Sequence, residues 1–295
     1  MAFCFKRKET AAKAVRRLFS ERAAVALGML GRKNPLDAAH QVRREIKKLR
    51  SLLRLTRAEL GDPLYRQSND ALRKAAAYLT DARDAQVRLS ALNGLAAQFK
   101  AKLPRPAFPK LKAALRANCD AELRKLEDGK AFRAIGQILQ EVRTRIEGAD
   151  VKGKVWPVIA PGLEKSYRRG REAFQMTCDE PAPESFHAWR KRVKDLFHQL
   201  RLLRPVRPGK LNAATAKLQK LGDLLGDDHD LFLLQAFAGQ WGDAEETQLL
   251  NHLIGPRQQE LRKAALKVGS KFYPEKPSRF TRRMGNYWKA WREGK

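Results

Sequence analysis

The feature that most constrains this chain is a sixteen-residue stretch that occurs twice. Positions 40–55 read HQVRREIKKLRSLLRL and positions 187–202 read HAWRKRVKDLFHQLRL, so the second begins 147 residues after the first. His40 aligns with His187, Arg43 with Arg190, Arg44 with Lys191 and Lys47 with Lys194. The apolar positions keep step, Ile46 with Val193 and Leu49 with Leu196, and Leu53-Arg54-Leu55 repeats as Leu200-Arg201-Leu202. Further on, Leu72-x-Lys74 and Leu79-Thr80-Asp81-Ala82-Arg83-Asp84 correspond to Leu218-x-Lys220 and Leu225-Gly226-Asp227-Asp228-His229-Asp230. Upstream, Arg16-Arg17 matches Arg168-Arg169 at a looser spacing. Two motifs in one order at nearly one distance imply an internal duplication, with residues 1–152 as a first helical bundle and 153–295 as a second.

Helical spacing runs through both copies. Val42, Ile46, Leu49 and Leu53 recur at three- and four-residue intervals and form an apolar stripe. His40, Arg43, Lys47, Arg50 and Arg54 follow the same rhythm on a neighbouring face, a one-signed polar stripe of roughly 21 Å at 1.5 Å per residue. The second copy repeats the stripe with His187, Arg190, Lys191, Lys194, His198 and Arg201. Like charges at i,i+4 cost a helix a few tenths of a kcal/mol per pair, and both copies carry that cost at matching positions. Many other solvent positions differ between the copies, such as Lys48 against Asp195. Guanidinium forks and ammonium groups in such an array suit phosphate oxygens.

The rest of the chain reads the same way. No stretch alternates apolar and polar residues as a half-buried strand does, so the fold class expected is all-α. Breaks are expected at Gly61-Asp62-Pro63, Pro104 to Pro109, Gly153 to Pro161, Pro181 to Pro183, Pro205 to Gly209 and Pro274 to Pro277. Between them helices of about 15–27 residues are expected, long against a usual mean of about 11–12. Gly162 and Gly170 read as further breaks. Five tryptophans, Trp156, Trp189, Trp241, Trp288 and Trp291, do not alternate with the basic stripe and read mostly as core.

Charge narrows the partners. Lys and Arg number 61 against 32 Asp and Glu, a formal +29, while 43% hydrophobic residues are enough to build a core. Such one-sided charge costs stability by self-repulsion and points to a polyanionic partner. Three unpaired cysteines, Cys4, Cys119 and Cys178, argue against a disulfide framework and for a reducing compartment. No run reaches the roughly 20 apolar residues of a membrane span, nor does the N-terminus have a signal-peptide core, so a cytoplasmic location is expected.

The duplicated His-x-x-Arg-x-x-x-Lys-x-Leu helix, followed by a helix bearing Leu-x-x-x-Arg/His-Asp, resembles the CHAD family, the conserved histidine α-helical domain. The likeness runs from about Lys6 to the C-terminal helix. It implies two four-helix-type bundles, with extra helices, about a pseudo-two-fold axis and a basic groove between them. It also implies binding of inorganic polyphosphate and association with polyphosphate granules. The implied contacts are His40, Arg43, Arg44 and Lys47 with His187, Arg190, Lys191 and Lys194, and, more loosely, Arg50, Arg54, Arg201, Arg16-Arg17 and Arg168-Arg169. Many family members carry a companion triphosphate-tunnel catalytic domain, and the Glu-x-Glu-x-Lys signature of that domain is absent here.

Two other readings stay open. A nucleic-acid-binding protein would share the electrostatics, although none of the named nucleic-acid motifs occurs. A metal-dependent phosphohydrolase would use Asp227-Asp228-His229-Asp230, since carboxylates and histidine suit Mg²⁺ or Mn²⁺. The plainer reading of that cluster is a helix cap with structural salt bridges, Asp227 or Asp228 opening a helix there. No nucleophile–base–orienter set can be assembled from the sequence. The expectation is a non-catalytic module without metal or cofactor.

Overall fold

The computed structural model describes residues 3–32, 34–241 and 243–294. Every regular element among them is a helix: α1 (Ala11–Met29), α2 (Pro35–Leu55), α3 (Arg57–Leu60), α4 (Asp62–Ala77), α5 (Thr80–Gln98), α6 (Pro109–Glu127), α7 (Lys130–Glu147), α8 (Val155–Asp179), α9 (Pro183–Leu203), α10 (Pro208–Trp241), α11 (Ala244–Phe272) and α12 (Pro277–Glu293). The all-α expectation holds. Local chemistry starts several of the helices. Thr10 Oγ1 accepts from Lys13 N, Asn34 Oδ1 from Leu36 N and Asp37 N, and Asp243 Oδ1 from Glu245 N and Glu246 N. Proline stands in the first turn of α2, α9 and α12, where its missing N–H would have had no partner.

The apolar stripes go where their periodicity sends them. Val42, Ile46, Leu49 and Leu53 of α2 are fully buried, as are Trp189, Val193, Leu196 and Leu200 of α9. Each such side chain contributes about 2 kcal/mol by leaving water. They belong to one undivided core that runs from Phe3 to Trp288 and draws on both stretches of the chain. A second, smaller cluster joins α5 and α6 to α10 and α11 through Leu92, Leu115, Leu234 and Ile254. Of the tryptophans, Trp189 and Trp288 are core residues, whereas Trp241 is 69% exposed.

Several expected breaks are not breaks. α8 begins at Val155 and carries Pro161, Gly162 and Gly170 within it. A Cβ on Gly162 would lie 2.1 Å from the carbonyl oxygen of Leu55, so glycine here lets α8 meet the end of α2 backbone to backbone. Gly170 likewise accommodates the Tyr273 hydroxyl, which a Cβ would approach to 2.6 Å. α10 runs unbroken for 34 residues and α11 for 29, longer than expected. Asp227 and Asp228 therefore lie in mid-helix and cap nothing. Their counterpart in the first half does open a helix, α5, with Asp81 in its first turn.

Candidate anion-binding groove

α2 and α9 cross at Ser51. Its hydroxyl, fully buried, donates to the carbonyl of Asp195 at 3.0 Å, and Gln199 Nε2 reaches the Ser51 carbonyl at 3.4 Å. The crossing divides the basic stripe. On the N-terminal side of Ser51, Arg43 and Lys47 meet Arg190 and Lys194 of α9, joined by Arg83 of α5. Arg50, next to the crossing, and Arg54, beyond it, turn instead toward Asp195; Arg54 Nη1 lies 3.0 Å from its Oδ1 and Arg50 donates to Asn69 at 3.1 Å.

The first group lies where α2, α9, α5 and α10 pack against one another, and that junction is the candidate groove. At the break between α4 and α5, Arg43 donates to the Ala76 carbonyl at 2.7 Å and to Thr80 Oγ1 at 2.9 Å, and Leu79 N and Thr80 Oγ1 reach the same carbonyl at 3.3 Å. In the other half α10 is continuous and offers no such acceptor. Instead Gly222 and Gly226 leave room for Lys194 and Arg190 to lie across it; a Cβ on Gly222 would meet Lys194 Nζ at 2.8 Å. Arg190 Nε is buried without a hydrogen-bond partner. Spacing of these two glycines by four residues was the sequence signal for a close approach.

Charge in the groove is only partly balanced. Arg83 pairs with Asp84 at 2.8 Å and Asp230 at 3.4 Å, and Lys194 with Asp223 at 3.2 Å. Arg43, Lys47 and Arg190 have no ion pair among the described residues. Lys47 is reached by solvent, yet the protein mass around it and the nearby Arg190, Arg43, Arg83 and Lys194 push its pKa down to about 7. Burial also lowers Arg43 and Arg190.

Histidines line the same region uncharged. His187 packs on His229 with ring centroids 4.1 Å apart. Burial and neighbouring cations hold His187 at about 4 and His198 and His229 at about 3; His40 is lowered in the same way. The Nδ1 atoms of His187 and His198 are buried without partners.

The remaining sequence candidates disperse. Arg44 and Lys191 are exposed at the groove's flank, Arg44 donating to Gln41. Arg201 lies over the Phe197 ring at 5.6 Å, near Arg204, Arg44, Glu45 and Arg22. Arg16 donates to the Ala149 carbonyl at 3.0 Å. Arg17 is bound up with Glu9 at 2.5 Å, with Glu21 at 3.3 Å and with the Cys4 carbonyl at 3.0 Å, and so pins the N-terminal segment. Arg168 is exposed on α8, and Arg169 lines a separate recess. Sequence reasoning missed Arg83, although its alignment with His229 in the repeat placed it beside the stripe.

The acidic cluster is engaged elsewhere. Asp228, 3% exposed, receives Arg262 Nε at 2.7 Å, and Asp230 serves Arg83. Burial raises Asp227, Asp228 and Asp230. Among the described residues no three His, Cys, Asp or Glu side chains are grouped to hold a metal ion. Nor is any helix among them long and apolar enough to cross a membrane.

An all-helical body that brings two cationic helix faces together defines a class of helical domains with a shared basic face. The sequence model of the CHAD domain matches residues 9–239, and the chain belongs to that family. Its fold matches the crystal structure of the CHAD domain from the plant Ricinus communis with a TM-score of 0.63 at 18% identity, covering 92% of this chain and 94% of that one. No curated protein matches the sequence significantly.

Proposed function

We propose that this chain is a non-catalytic binding module for linear inorganic polyphosphate, seated along the groove between α2 and α9. One observation carries the reading: Arg43, Lys47, Arg190 and Lys194, aligned pairwise 147 residues apart, face one another with three of the four lacking an ion pair among the described residues. Such a surplus, held by helices whose other faces are core, is neutralised best by a flexible string of phosphates. Counterions leave as the polymer binds, so affinity falls steeply with salt; four contacts give a log–log slope of about −3 at the single-strand value of about −0.7 per phosphate. Attachment to polyphosphate granules follows from the same chemistry, with no cofactor required.

The test is charge reversal of Arg43, Lys47, Arg190 and Lys194 together. Long-chain polyphosphate binding is lost while far-UV circular dichroism is unchanged; retained affinity refutes the assignment. Titration of the polyphosphate complex with duplex DNA at equal phosphate concentration leaves the polymer bound. Displacement by DNA would replace this reading with a nucleic-acid one.

A further inference from the structure

Beyond the Ser51 crossing lies a second basic feature of different shape. It is a small recess between α2, α3, α4, α8 and α9, with about 20 Å³ of enclosed space, well below the roughly 300–1,000 Å³ of drug-sized ligand sites. Arg54, Arg57, Lys165, Arg169 and Arg192 contribute five cations to its wall, with hydroxyls from Tyr65 and Ser166. The charges are not all spoken for. Asp195 answers Arg54 at 3.0 Å, and Asp62 answers Arg57 with bonds of 2.8 and 2.9 Å. Lys165, Arg169 and Arg192 have no ion pair among the described residues. Burial, with Arg57 and Arg169 nearby, lowers the pKa of Lys165.

The recess is built rather than incidental. The Arg57 guanidinium is held over the Tyr65 ring at 4.6 Å. The floor exists because Gly162 lets α8 touch Leu55. Arg192 lies two residues from both Arg190 and Lys194, about 200° round the helix at 3.6 residues per turn, so it faces away from the groove. At the positions 147 residues before Arg192 and Asp195 the chain has Glu45 and Lys48. There the matching space is closed: Lys48 Nζ lies 2.5 Å from Glu45 Oε1 and Arg22 Nη1 3.5 Å from Glu45 Oε2, all three side chains buried. One side of the molecule is self-neutralised and the other is open and cationic.

The geometry points to this recess as a discrete site for a compact phosphate, a terminal phosphoryl dianion clasped by Arg169, Arg192 and Lys165, distinct from the groove that takes the polymer's length. So small a space between five elements suits a single phosphoryl group rather than a length of chain. Guanidinium forks from two helices can each meet a pair of phosphate oxygens.

The experiment is calorimetric titration of the full chain with pyrophosphate, and separately with orthophosphate. The variants are Arg169→Gln/Arg192→Gln in the recess and Lys47→Glu/Lys194→Glu in the groove. Pyrophosphate binds one per chain. Each arginine removed weakens it about tenfold, about a hundredfold together, as loss of a charge-assisted hydrogen bond does. The groove variant keeps pyrophosphate affinity within about twofold and loses long-chain polyphosphate, so the two sites fail separately. Saturation by orthophosphate alone identifies the free anion as occupant. Binding of short polyphosphate only while its ends are unblocked identifies the polymer terminus. Arg192 also compensates the buried Asp195, so Lys165→Met, which leaves that compensation intact, is measured beside the double variant. No saturable binding of any of these probes, or equal losses in the recess and groove variants, overturns the proposal.

Discussion

On the proposed reading, Lys47 makes polyphosphate binding a proton-uptake reaction. Free in solution, its ammonium is held at about 7 by desolvation and by Arg190, Arg43, Arg83 and Lys194. At pH 8 roughly nine in ten copies are neutral, where an ordinary lysine near 10.4 is fully charged. Phosphate oxygens reverse the local field and return the pKa toward its ordinary value, so binding at pH 8 takes up close to one proton from this residue. Linkage then fixes the sign: affinity is level below pH 7 and falls by as much as about tenfold per pH unit above it. Calorimetry in buffers of different ionisation enthalpy counts the proton directly, and long-chain polymer keeps the titrating end groups few. His187, His198 and His229, at about 3 to 4, are neutral throughout this range. Lys47→Arg carries a permanent charge, so it binds with a flat pH profile and gains most over wild type at pH 8.5. A wild-type profile flat from pH 6.5 to 8.5, or an equal slope in Lys47→Arg, refutes the reasoning.

Other consequences concern stability. The three depressed histidines lie below their unfolded value of about 6.5, so the unfolded chain takes up protons first and stability falls as pH drops from 6.5 toward 4. Asp195, Asp227, Asp228 and Asp230, raised by burial, oppose this at the acid end; His198→Leu isolates the histidine share by flattening the melting-temperature profile, and an unchanged profile contradicts it. Gly162→Ala drives a methyl into the Leu55 carbonyl and costs about 1–3 kcal/mol in denaturant titration, whereas Gly28→Ala, with nothing within 4 Å on an exposed helical turn, gains about 0.5 kcal/mol. Arg17→Met loses its bonds to Glu9 and Cys4 and lowers stability by about 2 kcal/mol while polyphosphate affinity stays near wild type, separating a structural arginine from the groove.

The parts legible in the sequence were those governed by local rhythm. α2 and α9 announced themselves because apolar and basic residues keep helical step in both, and Val42 to Leu53 are buried as that step requires. Glycine was misread where its neighbour lies far along the chain: Gly162 answers Leu55, and Gly170 answers Tyr273. A helix propensity scale sees only the missing side chain, not the backbone or ring that fills its place. Asp228 failed for the same reason, since Arg262, 34 residues on, makes a mid-helix carboxylate tolerable. The division of the stripe was equally hidden. Arg43 and Arg54 share a face of α2, and only the crossing at Ser51 assigns them to different spaces.

That crossing is itself part of the undivided core, so the spacing between the two rows of cations is set by packed interior rather than by a hinge. Close-packed interiors deform little. The groove therefore acts as a fixed gauge: it measures the pitch of charge along whatever strand is laid in it, and a flexible polymer must do the adjusting while the protein holds still.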